Sequence, residues 1–409
     1  MIDPARFVEH CTASGVTLYT GVPDSLLKQL GGHIMATLPR EQHVIAANEG
    51  AAIGIALGHY LRTRELSLVY MQNSGFGNTV NPLLSLADPD VYGVPMLLVV
   101  GWRGQTGVRD EPQHVKQGRV MEPLLEALDL PWSVLPTDPD KAEECVSAAI
   151  ATATEKSCPY VLLVEKGTFA TGATPPATAS GSDLASREDA LCALTRAVEA
   201  DADADTDTDT VIVSTTGMLS RELFEYRETS GTDGSRDFLT VGGMGHASSI
   251  ALGVALREPE REVWCFDGDG ALLMHLGSLA VIADHAPSSY FHVVFNNGVH
   301  DSVGGQPTSI DNVNVAATAR SLGYRYADTT SDIAQLPQKI AAMRDHGGPA
   351  LLELRVRPGN RPDIGRPTRT PAESKHAFMS ALASGPPNGQ APKRDTGGRD
   401  AGTARGGSE

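Results

Sequence analysis

The segment 263–298 most constrains the fold. Val263-Trp264-Cys265-Phe266 is a short apolar run of buried-strand type. Asp267-Gly268-Asp269-Gly270 follows, then a helical pattern from Ala271 to about Asp284, a second apolar run over 291–295, and Asn296-Asn297-Gly298. In a right-handed strand-helix-strand unit the two strands run parallel, so both carboxyl ends open on one edge of the sheet. Asp269 and Asn297 are therefore expected to face each other there. A chain with this unit at its centre is committed to a parallel α/β sheet.

The same alternation of apolar β-rich runs with helical patterns fills both halves. In the first half it predicts strands over 17–20, 43–46, 68–71, 96–100, 132–135 and 160–164. In the second it predicts 211–214, 238–241, 263–266, 291–295, 324–327 and 351–356. Two α/β domains result, each a mainly parallel six-stranded sheet flanked by helices. Composition places the boundary: 171–186 is rich in Ala, Pro, Thr, Gly and Ser, and 199–210 is an Asp/Thr/Ala run. The expected layout is a first domain over 1–170, a low-complexity linker over 171–210, a second domain over 211–370, and a disordered tail over 371–409.

With 409 residues and 41% hydrophobic side chains, two ordinary cores are affordable. The start, Met1 to Arg6, has no basic leader before an apolar run, and charge or glycine soon interrupts every long apolar stretch, so a soluble, unexported protein with no membrane partner is expected. The five cysteines (Cys11, Cys145, Cys158, Cys192, Cys265) show no Cys-x-x-Cys spacing and suit a reducing cytoplasm. A formal charge of −17 argues against a nucleic-acid partner. An acidic protein acting on an acidic substrate must concentrate its cations locally.

The central unit has the chemistry of a metal and phosphate site. Mg²⁺ takes a carboxylate, an amide oxygen, a backbone carbonyl and phosphate oxygens. The glycines beside Asp269 admit close backbone approach, and a helix starting near Ala271 offers free N–H groups to a diphosphate. Alone, Gly-Asp-Gly reads as a tight turn and Asn-Asn-Gly as a loop; at strand-helix-strand spacing the pair points to a thiamine diphosphate anchor. A Rossmann reading lacks the Gly-x-Gly-x-x-Gly signature.

Over about residues 1–370 the chain resembles the thiamine diphosphate decarboxylases, most closely the phosphonopyruvate decarboxylases. The resemblance is carried by Gly21-Val22-Pro23-Asp24-Ser25, Ala47-Asn48-Glu49-Gly50, Tyr70-Met71-Gln72-Asn73-Ser74-Gly75, Gly101-Trp102-Arg103-Gly104, the passage from Asp110 to Arg119, and Asn296 through Thr308. It implies a pyrimidine-binding (Pyr) domain followed by a diphosphate- and Mg²⁺-binding (PP) domain, both of the thiamine diphosphate-binding fold. The middle domain of larger relatives is absent.

The resemblance also implies roles. Glu49 matches the carboxylate that hydrogen-bonds the cofactor's pyrimidine ring, against the simpler role of a helix-dipole partner. Met244 matches the apolar residue that props the bent cofactor, or is a plain core methionine. Gly268, Asp269, Gly270, Ala271 and Asn297 would hold the cofactor's diphosphate end, with Asp269, Asn297 and the Val299 carbonyl as metal ligands. Because Glu49 and Asp269 lie on different domains, the resemblance implies a homodimer or larger assembly with each site between subunits.

The implied reaction is decarboxylation of 3-phosphonopyruvate to phosphonoacetaldehyde and CO₂, as in phosphonate antibiotic biosynthesis, with the cofactor as electron sink. Asp24 and His114 are candidates for proton handling, Asp24 being equally readable as the N-cap of a helix over 25–30. Ser25, Arg103, Lys116 and His300 are candidates for substrate binding. The stretch 102–119 also carries Arg109 and Arg119, and a phosphonate dianion needs such cations, although a solvated basic loop would look the same. The rivals are a sulfopyruvate decarboxylase, commonly split into two polypeptides, a carboligase of acetolactate synthase type, and a non-catalytic cofactor-binding protein.

Overall fold

The computed structural model describes residues 1–171, 183–200 and 210–383. The first domain is one parallel sheet of β1 (Val16–Gly21), β2 (His43–Ile45), β3 (Leu66–Gln72), β4 (Met96–Gly101), β5 (Trp132–Val134) and β6 (Pro159–Val164), in the order β2-β1-β3-β4-β6-β5. The second contains β7 (Val211–Ser214), β8 (Asp237–Leu239), β9 (Val263–Gly268), β10 (Tyr290–Asn296), a small antiparallel pair β11 (Val299–His300) and β12 (Gln306–Pro307), then β13 (Tyr326–Thr330) and β14 (Ala350–Arg355). Its parallel sheet runs β13-β14-β10-β9-β7-β8. Read from the opposite edge, this is the strand order of the first sheet, so one topology is used twice.

Central strands of such sheets are covered on both faces and need continuous apolar runs. Every residue of β4 and of β10 is buried, and each sheet is sandwiched between two separate apolar clusters. The twelve expected strands are all present, with ends shifted by a few residues. The β11–β12 pair was not anticipated: two-residue strands have no periodicity to read.

Four expectations are corrected. Within the expected linker, Arg187–Glu199 is a helix whose Ala190, Leu191, Leu194 and Val198 enter the second core, and Ser186 caps it by accepting from the Asp189 N–H at 3.0 Å. Its apolar stripe was masked by the polar composition on either side. Within the expected tail, Pro371–Ala383 is a helix whose buried Phe378 lies 5.3 Å from the Phe238 ring. A single aromatic anchor leaves no periodic signal. The helix expected over 271–284 is broken into Asp269–Met274 and Ser278–His285 around Gly277. The stretch 102–119 is not all loop, since Pro112 opens the helix Pro112–Arg119. The remaining low-complexity residues, 172–182, 201–209 and 384–409, lie outside the described residues.

Candidate active site

In an open parallel sheet the ligand crevice forms where chain connections leave adjacent strands in opposite directions. Here that point lies between β1 and β3 in the first domain and between β7 and β9 in the second. Both open into one cavity of about 520 Å³. Val22, Ser25, Gln72 and Ser74 line it from the first domain; Thr215, Gly217, Gly268 and Asp269 line it from the second. The Asn48 side-chain amide donates to the Met274 carbonyl at 3.4 Å across the domain boundary, and Arg366 pairs with Glu111 at 2.7 Å.

Asp269 is the first residue of its helix and is almost fully buried. Thr308 Oγ1 donates to its Oδ2 at 2.7 Å, and no cationic side chain pairs with it among the described residues. Burial pushes its carboxyl up to about 6, opposed by Thr308 and by the N–H groups of Gly270 and Gly298. A buried carboxylate with only neutral donors calls for a bound cation. Asn297 lines the cavity beside it, with its amide donating to Asp301 Oδ2 at 2.7 Å and its Oδ1 accepting from the Val299 N–H at 3.1 Å. Val299 lines the same wall. Asn296 is turned into the fold: it donates to Glu353 Oε1 at 2.6 Å and accepts from the Gly298 N–H at 3.0 Å. The hard-oxygen donor set of Asp269, Asn297 and the Val299 carbonyl fits Mg²⁺.

Gly270 and Ala271 complete the cradle. A Cβ on Gly270 would lie 2.8 Å from His300 Cε1 and 3.2 Å from the Met244 methyl, so the backbone there must stay bare. Met244, between Gly243 and Gly245, both at positive φ, thus reaches over the diphosphate loop. These neighbours fit the cofactor end assigned to them. His300 is half-buried, and the desolvation pulls its imidazole down to about 4, so it is uncharged at neutral pH.

Across the cavity, Glu49 begins the helix Glu49–Thr63, which Asn48 caps by accepting from the Ala51 N–H at 2.9 Å. The carboxyl is nearly buried. Asn78 Nδ2 donates to Oε2 at 2.7 Å, and bare Gly75 lies against the side chain, where a Cβ would stand 2.0 Å from Oε1. Burial raises the Glu49 carboxyl above its ordinary value, opposed by Asn78. The resemblance implied that Glu49 and Asp269 meet across a subunit boundary; here they line one cavity of a single chain.

The proton-handling candidates separate. His114 lines the cavity, and its Nδ1 lies 3.0 Å from Asp110 Oδ1. Asp110 gathers this corner: it accepts from Arg103 through both oxygens, from the Gly104 N–H at 2.8 Å and from the Glu111 N–H at 2.7 Å. Burial acts against these donors, but they outweigh it and hold Asp110 far below the usual carboxylate range. Asp24 does not line the cavity. It is fully buried behind the wall, accepting from the Leu26 N–H at 3.0 Å and from Gln72 Nε2 at 2.5 Å, while Ser74 donates to Gln72 at 2.6 Å. Nor is Asp24 an N-cap, since the helix starts at Lys28. Burial raises its carboxyl, against Gln72, Leu26 and the charge of Arg103.

Of the substrate-binding candidates, Ser25, Arg103 and His300 line the cavity, with Arg103 Nη1 donating to Ser25 Oγ at 2.8 Å. Lys116 does not; it is exposed on the outer face of its helix, and Arg119 is likewise exposed. Arg109 lines a smaller neighbouring cavity. Helix geometry turns i and i+2 apart, which a run of cations read as one loop could not show. The cavity takes its other cations from residues that sequence reasoning missed: Arg187, Arg221 and Arg366. Asp110, Asn78 and Thr308 were also missed as site residues, although all but Asn78 lie in the motif passages.

Residues 5–123 match the family described as thiamine pyrophosphate enzyme, N-terminal TPP binding domain, and residues 215–354 match its C-terminal TPP binding domain. The chain is 37% identical to a phosphonopyruvate decarboxylase of Streptomyces viridochromogenes, covering 97% of this chain and 99% of that one. It is 34% identical to one of Streptomyces hygroscopicus, over 92% and 93%. A sulfopyruvate decarboxylase of Methanosarcina acetivorans is 26% identical over 92% of this chain and 97% of its own. The match runs through both domains in one polypeptide, so fusion of the two halves does not by itself discriminate the phosphono from the sulfo enzymes. Identity over the whole length does discriminate, and the chain belongs to the phosphonopyruvate decarboxylase family of thiamine pyrophosphate enzymes.

Proposed function

We propose that the chain decarboxylates 3-phosphonopyruvate to phosphonoacetaldehyde and CO₂, with thiamine diphosphate and Mg²⁺, in the reducing cytoplasm and as a step of phosphonate biosynthesis. One observation carries this reading: a buried carboxylate, Glu49, faces a Gly-Asp-Gly metal loop across a cavity rich in arginine. The match to phosphonopyruvate decarboxylases along nearly the whole chain supports the substrate. The five cysteines are unpaired, in keeping with the compartment.

When bound, thiamine diphosphate supplies the electron sink for loss of CO₂. The chain's residues do the rest. Asp269, Asn297 and the Val299 carbonyl would hold the metal, Gly268, Gly270 and Ala271 would admit the diphosphate, and Met244 would pack against the cofactor. Glu49, kept protonated more readily by burial, holds a proton at the pyrimidine end. His114, oriented by Asp110, is the proton-handling group that touches substrate. Asp24 acts from behind the wall through Gln72 and is a positioning residue. A dimer would bury part of the surface; whole-domain exchange between two chains would join the same faces.

The test measures CO₂ release from 3-phosphonopyruvate, sulfopyruvate and pyruvate, with thiamine diphosphate and Mg²⁺ present or stripped. Release from 3-phosphonopyruvate that depends on both cofactors is expected. None from 3-phosphonopyruvate refutes the proposal, and faster release from sulfopyruvate transfers it to the sulfonate.

A further inference from the structure

Four arginines line the cavity, and three are already engaged. Arg103 is held by Asp110, with Nε 2.8 Å from Oδ2. Arg187 is held twice by Glu222, at 2.9 and 2.8 Å, and by Asp301 at 2.8 Å. Arg366, largely exposed, pairs with Glu111 at 2.7 Å. Arg221 is half-buried and has no ion pair or hydrogen bond among the described residues.

Its setting is costly for a cation without a ligand. Arg221 sits in the first turn of the helix Met218–Ser230, where a positive charge opposes the helix dipole. Burial and the neighbouring charge of Arg366 both disfavour its protonated form, with Glu111 opposing. The helix follows β7, so the guanidinium stands at the switch point of the PP sheet, on the cavity that Glu49 and Asp269 share.

We infer that Arg221, with Arg366 beside it, receives the phosphonate group of the substrate. Arg221, Arg366 and Glu111 together carry one net positive charge, which a phosphonate dianion complements. A planar guanidinium with no other partner offers two parallel N–H donors to two phosphonate oxygens. This site differs from the cationic stretch 102–119 expected from sequence, where Arg103 is neutralised and Lys116 lies outside the cavity. The inference rests on the functional reading above and names the residue that gives it its substrate.

The test uses the holoenzyme loaded with thiamine diphosphate and Mg²⁺. Arg221→Ala is expected to raise KM for 3-phosphonopyruvate by about 30-fold, the loss of a charge-assisted contact worth ~2 kcal/mol, with a smaller change in kcat and unchanged cofactor binding. Arg221→Lys should recover part of the KM. Competitive inhibition by methylphosphonate should weaken in parallel. A KM within twofold of the unaltered enzyme overturns the inference. As a measurement independent of folding of the variants, methylphosphonate should protect Arg221 of the unaltered holoenzyme from phenylglyoxal, read by peptide mass spectrometry. Labelling of Arg221 unaffected by saturating methylphosphonate overturns it too. Failure of the unaltered enzyme to turn over 3-phosphonopyruvate would count against the functional reading instead, while the protection measurement still reports on Arg221.

Discussion

Thr308→Val isolates what a single hydrogen bond does for the metal site. Thr308 Oγ1 donates to the buried carboxylate of Asp269 at 2.7 Å, and valine keeps the shape while removing the donor. A charge-assisted hydrogen bond of this kind is worth about 2 kcal/mol, and at 1.36 kcal/mol per pH unit its loss raises the carboxyl by ~1.5 units. From the present value of about 6, the variant's carboxyl moves to roughly 7.5. Mg²⁺ needs the ionised form, so protons compete with it more strongly. At pH 7 the apparent Mg²⁺ affinity should weaken about fourfold, and at pH 6 about fifteenfold, while at pH 9 it should be nearly unchanged. The assay is Mg²⁺-dependent quenching of intrinsic fluorescence by thiamine diphosphate from pH 5.5 to 9. Superimposable pH profiles for the two proteins would refute the assignment of Asp269 as a metal ligand tuned by Thr308.

Other outcomes follow from the same geometry. Glu49→Ala should retain Mg²⁺-dependent cofactor binding yet lose at least ~10²-fold in turnover, whereas Asp269→Ala should lose the binding itself; an active Glu49→Ala enzyme would disprove its role. Mixing these two variants should restore no activity if each site is built within one chain, and recovery would show domain exchange between chains. Gly75→Ala places a methyl 2.0 Å from Glu49 Oε1, so turnover should fall while circular dichroism and metal binding persist. Asp24, Glu49 and Asp269 all have carboxyls raised by burial. Such groups stabilise the fold below their unfolded pKa values, and that stability is lost as pH rises through the folded ones. The metal-free protein should therefore melt at lower temperature at pH 7 than at pH 5, with Asp269 alone accounting for ~1 kcal/mol of the difference; Mg²⁺ with thiamine diphosphate should reverse the trend by binding the ionised form.

Much of the architecture was legible because parallel sheets write themselves into sequence as isolated apolar runs. β4 and β10, buried along their whole length, cannot be mistaken for anything half-solvated. The anchor was legible for a related reason: Asp269 and Asn297 follow directly after strand ends, so a local pattern fixes their common edge. Among the described residues no helix is long and apolar enough to cross a membrane, in agreement with the interrupted apolar stretches.

Tertiary structure decided what depends on direction and on company. Asp24 and His114 looked alike as candidates, yet one is sealed behind Gln72 and the other reaches the cavity beside Asp110. Arg103, Lys116 and Arg119 looked like one cluster, but the helix Pro112–Arg119 leaves Lys116 and Arg119 exposed, while Arg103, ahead of the helix, lines the wall. Arg221 carried no motif; its meaning lies in being the lining arginine without a partner among the described residues. The sequence by itself determined the two sheets and the edge that Asp269 and Asn297 share, because backbone periodicity and glycine placement are local; the place given to Glu49 came from the family resemblance. Which cations remain free to meet a substrate was decided only by packing, because pairing is a property of residues far apart in the chain.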